Sequence, residues 1–158
     1  ICMKRFSIFG SRPSFLEGAH LVGAELAGAK WENFNLKGAD LSKANLRSSE
    51  MTKAYLVGAN LTDAILNNSN LQFADLSETL LVNTQFQNTN LRHAKLRGAF
   101  IKFSNFDGAD LTGADFRGAA LNNCTFRHAN LTLANLTSLD LSTVDLGGAN
   151  LHDVIGMN

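Results

Sequence analysis

The sequence predicts an all-β solenoid, a parallel β-helix of about seven four-sided coils, on three observations. Residues whose numbers end in 1 or 6 are apolar at all 28 positions from Leu16 to Leu151, and 21 of them are Leu. The position two residues earlier is small (Ala, Ser, Thr or Cys) in 25 of 28 cases, the exceptions being Phe34, Leu139 and Val144. Gly18, Gly38, Gly58, Gly98 and Gly118 share one column at a spacing of twenty, broken by Glu78 and ended by Ser138. In a chain that is 45% apolar, an unbroken run of that length arises by chance with a probability of roughly 10⁻¹⁰, so an internal repeat sets the fold.

A period of five excludes the simpler structures. On an α-helix, residues five apart are rotated by about 140°, so the leucines would spiral around the cylinder. On a straight strand, every second Leu would point to the opposite face. Both conflicts vanish if the chain bends once per quintet, so that the small residue and the Leu point inward and the others make a corner. Four corners close a square of about twenty residues. The second residue after each Leu is often Gly or Asn, types that tolerate the positive φ of tight turns.

The elements follow in order. Residues 1–13 carry Lys4, Arg5, Arg12 and the single proline, Pro13, and are expected to cap the first coil, because an uncapped solenoid exposes its core and unpaired backbone. Residues 14–154 form the repeat, whose lack of proline suits a continuous ladder. Trp31 and Phe34 are expected to plug the first turns, a docking surface being the alternative. Asn70, Asn90, Asn130 and Asn150, interrupted by Asp110, share a column in which side-chain amides can bond from coil to coil. Thr79, Thr84 and Thr89 place inward hydroxyls in the fourth coil, which need carbonyl partners. Phe86, Phe106 and Phe126 share one column and predict an aromatic stack. Residues 155–158 form a tail, since Gly156 stands where the next Leu is due.

With this pattern established, residues 14–154 resemble the pentapeptide-repeat family, whose motif A-(D/N)-L-x-x is matched by Ala39-Asp40-Leu41-Ser42-Lys43 and Ala44-Asn45-Leu46. The resemblance implies a right-handed quadrilateral β-helix. It also implies two kinds of relative: members that imitate B-DNA in size and charge, bind type II topoisomerases and give quinolone resistance, and modules of bacterial effectors.

Composition narrows the function classes. Fourteen Lys and Arg balance fourteen Asp and Glu, which disfavours both imitation of a phosphate backbone and direct binding of nucleic acid. After Arg127 there is no Lys or Arg, while Asp140, Asp145 and Asp153 remain, so the rod is expected to run from a basic start to an acidic finish. Cys2 and Cys124 lie too many coils apart for a disulfide, and free thiols point to a reducing, cytoplasmic setting. The Asn-x-Ser/Thr triplets, such as that at Asn60, are by-products of the repeat. No run of eighteen apolar residues or signal-peptide pattern predicts a membrane span. A start at Ile1 reads as a fragment or processed product, and the last coil is expected to be covered by a partner, a second copy or further sequence.

No catalytic, cofactor or metal site is expected. His20, His93, His128 and His152 fall outward on separate columns without metal-ligand spacing, and Asp107, Asp110 and Asp115, with Arg97 and Arg117 nearby, fit a solvated face. The informative departures are apolar. Leu80, Phe100 and Ala120 occupy one outward column of consecutive coils, flanked by Val82 and Phe103 with Lys102 between them. Leu80, Val82, Phe100, Lys102 and Phe103 are therefore the candidate partner-binding residues. Tyr55, Ile65, Phe73 and Leu133 also point outward but are scattered. The expected function is a non-catalytic protein-interaction scaffold or module of a longer chain, with a protein partner or a second copy docking on a face or coil end.

Overall fold

The computed structural model describes residues 16–157. The expected cap at 1–13, its basic residues and the Cys2 thiol lie outside the described residues. Position n pairs in parallel with position n + 20, from His20 with Asp40 to Asn135 with Ile155, so four quintets make one coil. Counted from Leu16, the coils are 16–35, 36–55, 56–75, 76–95, 96–115, 116–135 and 136–155. The four sides are named by their inward rows: the first holds Leu36, the second Leu41, the third Leu46 and the fourth Met51. The last rung, at Ile155, reaches one residue into the expected tail.

One quintet shows how the motif satisfies its backbone. Asp40 N–H donates back to the Ala19 carbonyl at 2.9 Å, while Leu41 and Lys43 N–H donate forward to the Asn60 and Thr62 carbonyls, both at 2.8 Å. Ala44 N–H closes a turn on the Leu41 carbonyl at 3.0 Å. The remaining donor, Ser42 N–H, goes to Oδ1 of Asp40 at 3.1 Å. All five N–H groups are paired, as a narrow solenoid requires. The Asp or Asn of the motif is thus an Asx-turn acceptor, and Asn45, Asn60, Asn90, Asp115 and Asn150 repeat the arrangement. This corrects the expected amide column. Asn90 does donate to Asn70 at 3.1 Å and Asn70 to Glu50, but Asn130 turns to the Thr112 hydroxyl instead. Arg92 and Thr112 already occupy Asp110, and the ladder stops there.

The corner residue takes positive φ at Gly38 (62°), and at non-glycine positions as bulky as Phe73 (59°), Phe103 (55°) and Leu133 (59°). Thr143 is the one register position between 18 and 153 absent from the positive-φ set. Its hydroxyl accepts from Asn123 N–H at 3.0 Å, and no rung joins Ala120 to Asp140, in contrast to the pairs around it. Leu139 and Val144, two of the three large residues in the small slot, flank this stretch, although Phe34, the third, keeps its rung and its positive-φ corner at Asn33.

The inward rows form one core, fully buried from Leu36 through Phe116. The stack is as expected: Phe86 and Phe106 lie 4.7 Å apart, Phe106 and Phe126 4.6 Å, within 8° of parallel. Trp31 is buried and stacks on Phe34 at 6.1 Å, which agrees with a plug. The inward hydroxyls find carbonyls: Thr79 donates to Leu76, Thr84 to Leu61 and Thr89 to Leu66.

Candidate interaction surface

On the second side of coils 4–6 the backbone departs from the standard quintet. Three short strands, β1 (Leu80–Val82), β2 (Phe100–Lys102) and β3 (Ala120–Asn122), form a parallel sheet in the order β1-β2-β3. Leu80 stands beside Phe100 and Phe100 beside Ala120, with Val82 beside Lys102 and Lys102 beside Asn122. In these quintets an apolar residue replaces the Asx acceptor, and the residue after the inward one joins the ladder instead. The four-residue turn opens: Thr84 N–H donates to the Ser104 hydroxyl at 3.1 Å, and that hydroxyl donates to the Leu81 carbonyl at 2.6 Å. Cys124 holds the equivalent position in coil 6, with Sγ 3.5 Å from the Ile101 carbonyl. Its thiol is free and buried, and burial raises its pKa. Ile65 with Ser69 has a similar pair of departures but keeps a closed turn. The open form therefore belongs to the run of three stacked quintets.

The outer surface of this sheet carries a row of apolar side chains beside Lys102 and Asn122. Leu80 is 45% exposed, Phe100 46% and Phe103 51%; Val82 and Lys102 are half-buried. The Lys102 ammonium lies 4.9 Å from the centre of the Phe103 ring, a cation–π contact. All five sequence-predicted residues thus fall on one side of two adjacent coils, 4 and 5.

The neighbouring first side is ionic. Asp115 accepts a bidentate pair from Arg117, with Nη2 at 2.7 Å, and Nε of Arg97 at 2.6 Å. These bonds, Arg117's first, hold its carboxyl far below the ordinary carboxylate range. Asp110 pairs with Arg92 and Asp145 with Arg127. Asp107 instead accepts from the Thr125 hydroxyl and Arg127 N–H. The expected basic start lies outside the described residues, and from Glu17 to Glu78 acids outnumber Lys and Arg. The basic belt falls in the middle, between Arg92 and Arg127.

All four histidines are exposed. His93 stacks on Phe73 at 5.2 Å and 11°, a pairing twenty residues apart that sequence reasoning missed when it treated Phe73 as isolated. Its imidazole leans over Gly113, where an added Cβ would lie 2.5 Å from Nδ1. Among the described residues no group of three His, Cys, Asp or Glu is placed to hold a metal ion, and no helix is long and apolar enough to cross a membrane.

A four-sided shaft of stacked quintets with a filled interior and one apolar outer panel defines the class as a β-helical repeat protein. The chain belongs to the pentapeptide-repeat family: the family model for pentapeptide repeats matches in 8 copies, over residues 19–56, 51–81, 74–113, 84–123 and 114–153. Its coil is the right-handed quadrilateral β-helix of that family. Among solved structures, a trypsin-treated form of QnrB1, a plasmid-mediated fluoroquinolone resistance protein, matches with a TM-score of 0.50 and 19% identity over 90% of this chain and 86% of that one. HetL, involved in heterocyst differentiation regulation in the cyanobacterium Nostoc sp. strain PCC 7120, matches with a TM-score of 0.34 and 24% identity over 87% of each chain. A thylakoid-lumen protein of Arabidopsis thaliana matches with a TM-score of 0.43 and 27% identity over 77% of this chain and 70% of that one. These likenesses concern the fold. No curated protein matches the chain.

Proposed function

We propose that this chain is a non-catalytic protein-interaction scaffold, standing alone or as one module of a longer protein, that docks a protein partner through the second side of coils 4–6. The observation that carries this reading is the exposed run of Leu80, Phe100 and Phe103 on a rigid sheet. Large apolar side chains kept in water on adjacent rungs mark contact sites. Phe103 adds a second cost, because its φ of 55° places a bulky residue in the left-handed region. Gly or Asn would serve the turn better, a cost that Phe103 shares with Phe73 and Leu133.

Imitation of DNA for a topoisomerase is the weaker reading. The chain as a whole carries no formal net charge, and its acids alternate with ion-paired arginines, whereas a polyanion mimic needs a continuous negative field. A gyrase supercoiling assay with a quinolone present is expected to show no protection.

The main test compares partners captured by the wild-type chain and by the Phe100→Glu/Phe103→Glu variant, with the far-ultraviolet spectrum as the control for folding. The expected result is an unchanged spectrum and loss of partner. An unchanged spectrum with every partner retained would remove the panel from consideration.

A further inference from the structure

We propose that the panel on the second side receives a segment of a partner protein that carries a carboxylate between apolar side chains. The inference rests on the scaffold reading above and specifies the chemistry of the partner. Its starting point is Lys102. Six Lys and Arg lie between residues 91 and 127, and five of them pair with acids: Arg92 with Asp110, Lys95 with Asp75, Arg97 and Arg117 with Asp115, and Arg127 with Asp145. Lys102 is the one of these six without an acid partner among the described residues; Lys30, Lys37, Lys43, Arg47 and Lys53 of the earlier coils also lack one, but Lys102 is the only charged side chain on the apolar panel. Its ammonium rests instead against the Phe103 ring, at 4.9 Å.

The surroundings of Lys102 explain why the charge stays unpaired. The outward positions on this side of coils 4–6 are Leu80, Val82, Asn83, Phe100, Phe103, Ala120, Asn122 and Asn123 beside Lys102 itself, and none is acidic. The acid in the preceding coil, Asp63, is already engaged by Nδ2 of Asn83 at 2.8 Å. A docking partner that covered the phenylalanines with purely apolar groups would strip water from an ammonium and give nothing in return. A carboxylate at that point reverses the sign, through a charge-assisted hydrogen bond in a dried contact. Backbone pairing is not open at the centre of the panel, because β2 is bonded to β1 on one edge and to β3 on the other. Recognition therefore falls to side chains: apolar groups on Leu80, Phe100 and Phe103, an acid on Lys102.

The test selects displayed random dodecapeptides on the wild-type chain and measures the synthetic winners by fluorescence polarisation against wild type, Lys102→Glu and Phe103→Gly. Lys102 lies on the surface, and Gly suits the φ of residue 103, so both variants are expected to keep the wild-type far-ultraviolet spectrum. The expected winners carry Asp or Glu flanked by apolar residues, lose about tenfold or more in affinity on Lys102→Glu and bind more weakly to Phe103→Gly. Their Glu→Gln analogues should lose affinity for wild type but not for Lys102→Glu. Winners that depend on Phe103 yet bind wild type and Lys102→Glu equally would overturn the acidic specificity and leave the scaffold reading standing. Winners insensitive to both substitutions, or no winners at all, would overturn the panel as a docking site and the scaffold reading with it. Recruitment of the chain to vesicles containing phosphatidylserine, lost on Lys102→Glu, would assign the panel to a lipid surface and also overturn the proposal.

Discussion

The first and second sides of coils 4–6 share one core and adjoining corners, yet they resolve their outer surfaces in opposite ways. On the first side the small slots hold Thr79, Ala99 and Ala119, the turns close, and every charge on Lys95, Arg97 and Arg117 is answered by Asp75 or Asp115. On the second, Thr84, Ser104 and Cys124 fill those slots, the turns open, and Leu80, Phe100 and Phe103 stand in water beside an unanswered Lys102. The inward rows alone specify the coil. What faces outward is free to vary, and on the second side the outward groups do not satisfy one another.

Deletions beneath the two sides give the largest expected effects and test whether they share a core. Phe116→Ala under the ionic side should cost about 3–5 kcal/mol and Ile101→Ala under the apolar side about 2–5 kcal/mol, as shifts in urea denaturation midpoint. A midpoint that moved for one and not the other would mean that the sides are stabilised separately.

The open turns come next. Ser104→Ala installs the residue that serves elsewhere in the repeat, yet it leaves Thr84 N–H buried without its acceptor. A loss of about 1–3 kcal/mol is expected. If stability holds and the Thr84 amide stays protected from exchange, the turn has closed on the Leu81 carbonyl and the second side has become like the first.

The smallest effect concerns pH. The Asp115 carboxyl titrates lower in the folded chain than in the unfolded one, so its contribution is complete above the unfolded value of about 3.9 and is lost as pH falls through the folded one. Asp115→Asn keeps the acceptor for Arg117 N–H but removes the charge. Thermal melts between pH 7 and pH 2 should show a lower neutral midpoint for the variant and a shallower decline in acid. Asp110 and Asp145 shift in the same direction and keep that decline from vanishing.

Much of this was legible in the sequence because the Leu and small positions repeat without interruption. The period forces a corner, the glycine column sets four corners per coil, and Phe86, Phe106 and Phe126 align at that spacing. The positions of Leu80, Val82, Phe100 and Phe103 were legible for the same reason, as outward apolar positions on consecutive coils, with Lys102 between them. The job of Asp and Asn was not, because a bond from Oδ1 to a backbone N–H two residues on leaves no mark beyond composition. The open turns were missed because Thr84 was grouped along the chain with Thr79 and Thr89. Its structural companions are Ser104 and Cys124, twenty and forty residues on. The Phe73–His93 pair was lost in the same way.

The pairing of each position with the one twenty residues later fixes how such a chain can change its length. Removing twenty residues from the regular coils would shorten the shaft by one storey and leave every downstream side chain above its old neighbours. Removing five between Val82 and Phe100 would rotate everything beyond the cut by a quarter turn, carrying Phe100 and Ala120 around the corner from Leu80 while the leucines still met inside. If the panel docks a partner as proposed, such a protein would keep its shaft and lose that binding, so insertions and deletions that preserve the panel should come in whole storeys.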